Sequence, residues 1–121
     1  MRKLISTGSP WEAKVGYSRA VVVGDTIYIS GTAGQGEDVY AQTRDALSTI
    51  ETVLTDNGFA LADVVQSRLA VSDFAHWEDA ARAHGEIYGE VRPAFSLVHA
   101  LPFVDDAILV EVEAVAVRDH Q

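Results

Sequence analysis

The sequence predicts an α/β (α+β) fold: a single mixed β-sheet with two helices packed on one face. Three observations carry this expectation. Short β-branched runs are separated by turn residues. Two longer stretches repeat their apolar residues at helical spacing and stand between strand runs. The last run, Ile108 to Val117, alternates with a period of two and has one wholly apolar face. Helices joining strands of one sheet as right-handed crossovers lie on the same side of it.

Arg2 to Ile5 reads as a short first strand. Ser6 to Val15, with Gly8, Ser9 and Pro10, reads as a loop carrying Trp11. Ala20 to Val23, Gly24-Asp25 and Thr26 to Ser30 read as a hairpin. Its runs are β-branched, and its two-residue joint tolerates unusual backbone angles. Gly31 to Gly36 is small and flexible and ends the hairpin.

The clearest helix follows. Val39, Thr43, Ala46, Leu47, Ile50, Val53 and Leu54 recur at helical spacing. Asp38 can cap its start, and Asn57-Gly58 supplies a left-handed exit. Val64 to Val71 is the next strand, with Val65, Leu69 and Val71 expected on one face and Gln66, Arg68 and Ala70 on the other. Ser72-Asp73 can cap a second helix from Phe74 to about Gly89, with Phe74, Trp77, Ala81, His84 and Tyr88 along one side. Pro93 ends it, because proline biases the preceding residue toward extended backbone. Val91 to Pro102 is then a strand entered through a proline, followed by a turn and the final strand.

At 121 residues the chain is expected to be one domain, 1–121, with a real core. The net charge of −9, with nine basic residues scattered among eighteen acids, argues against a nucleic-acid partner and against an anionic membrane surface. Cysteine is absent, which excludes disulfides, thiolate metal sites and a Cys nucleophile. This agrees with a reducing cytoplasm, the expected location. Met1-Arg2-Lys3-Leu4-Ile5 is not followed by an apolar core, so no signal peptide is expected, and no run approaches a membrane span.

The last strand bears on assembly. Ile108, Val110, Val112, Ala114 and Ala116 suit the face under the helices. Leu109, Glu111, Glu113, Val115 and Val117 form the opposite face, with three large apolar residues that a monomer would expose. Other subunits are expected to cover it, which places Glu111 and Glu113 at or near an interface.

Four segments carry a family resemblance: Gly16-Tyr17-Ser18-Arg19-Ala20, Ile27-Tyr28-Ile29-Ser30-Gly31, Arg92-Pro93-Ala94, and Val110-Glu111-Val112-Glu113-Ala114-Val115-Ala116. In this order, with helices between them, they resemble the Rid proteins, also called the YjgF family of imine and enamine deaminases. The resemblance implies a chorismate mutase-like subunit and a homotrimer with a small-molecule cleft between each pair of subunits. It implies hydrolysis of a reactive imine or enamine to a 2-oxo acid and ammonia, without metal or cofactor. An arginine holds the substrate carboxylate while a glutamate positions water. This chain departs from the pattern where the deaminases have Pro-Ala-Arg, because the arginine position is Phe95. Phenylalanine offers a carboxylate none of the paired hydrogen bonds of an arginine.

Glu111 falls on the family's glutamate and is the leading catalytic candidate, poised among apolar neighbours as a base toward water. An intersubunit salt bridge or a wet rim is the competing reading, and Glu113 reads as structural. Tyr17 falls on the family's cleft tyrosine and can offer its hydroxyl to a ligand. Phe95, Leu97 and His99 share a strand face, which on the family frame lines the cleft. Each also reads as ordinary packing at an interface. Ser30 and Gly31 end a strand where backbone can approach a ligand, or simply make a turn. Arg92 is the obvious replacement cation. Regular strand geometry would aim it away from Phe95, as an ordinary surface arginine.

His76, His84 and His120 form no metal-spaced set with a carboxylate pair, and no metal site is expected. Ser18 and Ser96 lack a His-Asp companion signature. Two functions from different classes follow: a hydrolytic deaminase, and a non-catalytic binder of small hydrophobic or aromatic metabolites. A ribonuclease, an old label for some relatives, fits the acidic charge poorly.

Overall fold

The turn at Gly24-Asp25 closes the expected hairpin in the computed structural model, which describes residues 1–119. Strand β2 (Ala20–Val23) pairs antiparallel with β3 (Thr26–Ala33). Strand β1 (Arg2–Ile5) pairs antiparallel with the far side of β2. On the other side of β3 lies β6 (Val110–Val117), then β4 (Val64–Val71), then β5 (Ala94–His99) at the edge. Only β4 and β5 run parallel. The result is one mixed six-stranded sheet in the order β1-β2-β3-β6-β4-β5.

Helices α2 (Val39–Asp56) and α3 (Trp77–Tyr88) supply the main apolar cover. The Asp38 carboxylate accepts the Ala41 amide at 2.8 Å and caps α2. Asn57 and Gly58, the latter at φ +81°, end it. Val39, Thr43, Ala46, Leu47, Ile50, Val53 and Leu54 are all buried, as their spacing requires. They meet Val110, Val112, Ala114 and Ala116, the apolar face of β6.

Four expectations need correction. The segment Ser6–Val15 is not all loop, because α1 (Pro10–Val15) forms there. Ser9 caps it, Pro10 enters at the first helical positions, and Gly16 leaves at φ +91°. Strand β3 runs on through Gly31 to Ala33. In β4, Val65 does not share a face with Leu69 and Val71. Val64 pairs with Ala116 and Gln66 with Val115, so Val65 is an extra, bulged residue and is 48% exposed while Val64 is buried. Lastly, a 3-10 turn at Phe74–His76 precedes α3, and Phe74 and Trp77 stay largely exposed.

The largest difference concerns the strand entered through Pro93. It does not lie beside the strand of Glu111, because β4 stands between β5 and β6. Two inter-strand steps, about 10 Å, therefore separate their backbones. The long connection from Ala100 to Leu109 lets β6 cross over β4 to the sheet centre, where its apolar face is fully covered.

Candidate active site

Glu111 stands on β6 opposite Ala33 of β3. Just beyond, the ladder slips. Ile29 pairs with Ala114 and Thr32 with Val112, so Ser30 and Gly31 together face Glu113. This bulge re-aims the end of β3 and brings Gly31 under the Glu111 side chain. A Cβ on residue 31 would lie 2.8 Å from Glu111 Oε1, so any larger residue there would shift the carboxylate from this position.

Arg19 completes the arrangement. It precedes β2 and is almost fully buried. Its Nη1 donates to the Gly31 carbonyl at 2.8 Å and to Thr32 Oγ1 at 3.0 Å. Its Nη2 donates to the Tyr17 hydroxyl at 3.3 Å. Burial pushes the Glu111 carboxyl above the usual carboxylate range; the Arg19 charge opposes that shift and Glu113 adds to it.

These groups open into a surface hollow of about 440 Å³. Tyr17, Arg19, Gly31 and Glu111 form its polar side. Trp11 and Val15 of α1, with Phe103, Val104 and Ile108 from the loop before β6, make the rest largely apolar. Gln42 of α2 ties that loop down. Its Nε2 donates to the Gly36 and Ala107 carbonyls, and its Oε1 accepts the Leu109 amide at 2.8 Å.

The expected residues thus divide within one chain. Tyr17, Gly31 and Glu111 come together, and Phe95, Leu97, His99 and Arg92 do not join them. Phe95 pairs with Ser67, Leu97 with Leu69 and His99 with Val71, all on the helix side of the sheet, opposite to Glu111. The Phe95 ring lies 4.6 Å from His84, and the His99 ring stacks on Phe74 at 4.5 Å. Arg92 is not in a strand, so strand geometry does not aim it. It holds φ +58° in the turn after α3 and lines a shallow hollow together with Phe95. The Ser30 hydroxyl donates to the Ser18 carbonyl at 2.6 Å and borders a second hollow, beside Tyr28, Arg68 and Glu113.

Arg19 and Gln42 were not singled out from sequence. Each left a signal: a charged residue at the threshold of an apolar strand, and a polar residue within the buried stripe of a helix. His84 Nε2 pairs with Ser67 Oγ at 3.0 Å, and burial holds its pKa below the usual imidazole range. His76 pairs with Asp73 on the surface. His120 lies outside the described residues. Among the described residues no group of three or more His, Asp or Glu is placed to bind a metal ion. No helix among them is long and apolar enough to cross a membrane.

Fold and site together define a class: α+β subunits with one mixed sheet, a helical layer on one face and a small hollow at a bulged strand end. The family model described as endoribonuclease L-PSP matches residues 7–118. The chain belongs to this family, the YjgF or Rid family of the sequence resemblance. It is 33% identical to an uncharacterized protein of Streptomyces coelicolor, over 94% of this chain and 90% of that one. It is 32% identical to the 2-iminobutanoate/2-iminopropanoate deaminase of Bos taurus, over 98% of this chain and 91% of that one. A crystal structure of a YjgF/YER057c/UK114 family member from Mycobacterium tuberculosis superposes with a TM-score of 0.93 at 42% identity, covering 98% of this chain and all of that one (100%).

Proposed function

We propose that the protein hydrolyses a small imine or enamine to a carbonyl compound and ammonia, in a hollow built around Glu111 and Tyr17. The observation that carries this reading is the half-buried Glu111 carboxylate, seated on Gly31 and opening into the hollow beside the Tyr17 hydroxyl. Glu111 orients water and accepts a proton as the water oxygen bonds to the imine carbon. That proton passes to the nitrogen, giving a carbinolamine; Glu111 then relays the carbinolamine hydroxyl proton to the same nitrogen, which leaves as ammonia as the C–N bond breaks and the carbonyl forms. The Tyr17 oxygen accepts from Arg19, so its own O–H is free to point at a substrate. The similarity to a 2-iminobutanoate/2-iminopropanoate deaminase supports the reaction class.

A homotrimer would complete the site. The sheet face away from the helices exposes Leu4, Val23, Tyr28, Val98 and Val117, a surface suited to burial against other copies. A neighbouring subunit would present Phe95, Leu97 and His99 to the hollow. With Phe95 where deaminases have arginine, small 2-imino acids should be poor substrates.

The test is direct. A pyridoxal-phosphate enzyme generates 2-aminoacrylate or a branched-chain imine, and ammonia release is followed with and without purified protein. No acceleration over buffer across several imines sinks the proposal.

A second reading, a non-catalytic binder of hydrophobic or aromatic metabolites, is favoured by the apolar rim, where Trp11 is 46% exposed. It predicts thermal shifts with aromatic ligands, and their absence removes it. A ribonuclease is disfavoured by the net charge of −9 and by Glu111 and Asp105 on the hollow. RNA cleavage lost on Glu111→Gln would reverse that judgement.

A further inference from the structure

We propose that Arg19 is the positioning residue of this site: one buried guanidinium holds the bulge, the tyrosine and the charge of Glu111 in a single arrangement. The kinetic part of this inference rests on the hydrolytic reading above; the structural part does not.

An arginine only 8% exposed needs acceptors for its guanidinium donors and a counter-charge for its cation. The acceptors are neutral. Nη1 bridges the Gly31 carbonyl and Thr32 Oγ1, and Thr32 Oγ1 in turn donates to the Ser30 carbonyl at 2.7 Å. The backbone of Ser30, Gly31 and Thr32 is thereby locked in its bulged form. Nη2 reaches the Tyr17 hydroxyl, and the guanidinium carbon lies 5.6 Å from the centre of that ring. No carboxylate is among these partners.

The Arg19 charge favours the ionised form of both Glu12 and Glu111. Glu12 is engaged by the Thr7 amide and hydroxyl. Glu111 faces the hollow. The groups around Glu111 are otherwise acidic or neutral: Glu113 on the same strand face, Asp105 in the loop before β6, and the Tyr17 phenol. Among the described residues Arg19 is the one cation lining the hollow. A glutamine at this position could keep one or two of the hydrogen bonds, whereas no other cation among the described residues lines the hollow to replace the charge.

The experiment is a carbon-13 NMR titration of the Glu111 carboxyl in the wild-type protein, Arg19→Gln and Arg19→Lys, with Glu111→Gln for assignment. In Arg19→Gln the midpoint should rise by about one pH unit, tenfold in proton affinity. Arg19→Lys should restore most of that shift. The acid limb of kcat should move with the midpoint while KM holds. An unchanged midpoint in Arg19→Gln, with lowered thermal stability alone, would reduce Arg19 to a structural brace and overturn the proposal. A shifted midpoint in a protein without deaminase activity supports the positioning role and removes the hydrolytic reading instead.

Arg19→Lys covers the case in which the glutamine variant does not fold, because it keeps the charge and loses the planar fork. A near-wild-type Glu111 midpoint with displaced Tyr17 ring signals then supports the arrangement. Unmoved Tyr17 signals and unchanged kcat overturn it.

Discussion

Gly31 lies directly beneath the Glu111 carboxylate, so that a single added methyl carbon would stand 2.8 Å from Oε1. Real Cβ atoms do not approach a carboxylate oxygen this closely, so Gly31→Ala must push the Glu111 head group aside. The residue has no left-handed backbone to protect, and the fold should tolerate the change. Deaminase kcat should fall on the order of tenfold to a hundredfold from lost water placement, with little change in Tm. Steady-state kinetics beside thermal unfolding would check this.

Glu111→Gln keeps the shape and removes the charge. Activity should drop by about 10²–10⁴-fold. Its pH signature follows from the raised carboxyl pKa. Between the ordinary value and the raised one, the folded protein holds a proton that the unfolded chain has lost. Wild-type stability therefore falls as pH rises through that window and stays lowered above it. The glutamine variant should gain stability relative to wild type at neutral pH and lose the gain in acid. Catalysis runs the other way, rising with pH as Glu111 ionises. Chemical denaturation across pH, set beside the pH–rate profile, separates the two.

Phe95→Arg places at this position the arginine that the family resemblance leads one to expect. If neighbouring subunits bring residue 95 to the hollow, kcat/KM for a small 2-imino acid should rise about tenfold to a hundredfold, the worth of roughly 1.5–3 kcal/mol from a hydrogen bond to a charged group. No gain in a correctly assembled variant would show that residue 95 serves packing against His84 alone.

Val115 lies on the helix-free face, opposite Tyr28 and Gln66. Val115→Lys should prevent assembly. Sedimentation velocity should find wild type at three times the chain mass and the variant as monomer, with deaminase activity lost. A monomeric wild type retaining activity would remove the interface from the mechanism.

Arg92 adopts φ +58° just after α3, where its amide bonds the Tyr88 carbonyl at 2.9 Å. This is a helix-ending position that favours glycine. Arg92→Gly should raise stability by about 1 kcal/mol, by relieving a left-handed conformation costly to other residues. A loss of stability would show that the arginine side chain makes a contact worth more than the strain.

Glu111 and Tyr17, which line one hollow, were singled out from short motifs: Val110-Glu111-Val112-Glu113 and Gly16-Tyr17-Ser18. Gly31 was legible as a candidate, though not as a residue within β3 and the seat of Glu111. Phe95 and Glu111 are near in sequence but not in the sheet of one chain, because the long connection after His99 lets β4 stand between their strands. The role of Arg19 is not legible in its motif, since its hydrogen-bond partners Gly31 and Thr32 lie on strand β3.

Local pattern alone placed the two long helices and the cores of the strands, though not α1 or the end of β3, and it showed which face of β6 is buried and which family the chain resembles. These depend on side-chain periodicity, caps and turn residues, all short-range properties of the chain. Tertiary structure decided the strand order, the bulges at Ser30-Gly31 and Val65, and the meeting of Arg19, Gly31, Tyr17 and Glu111. A bulge is one residue of slippage between partners distant in sequence, and it reverses which side chains face the hollow. No periodicity within either strand records it, so the site becomes visible only once the strands have paired.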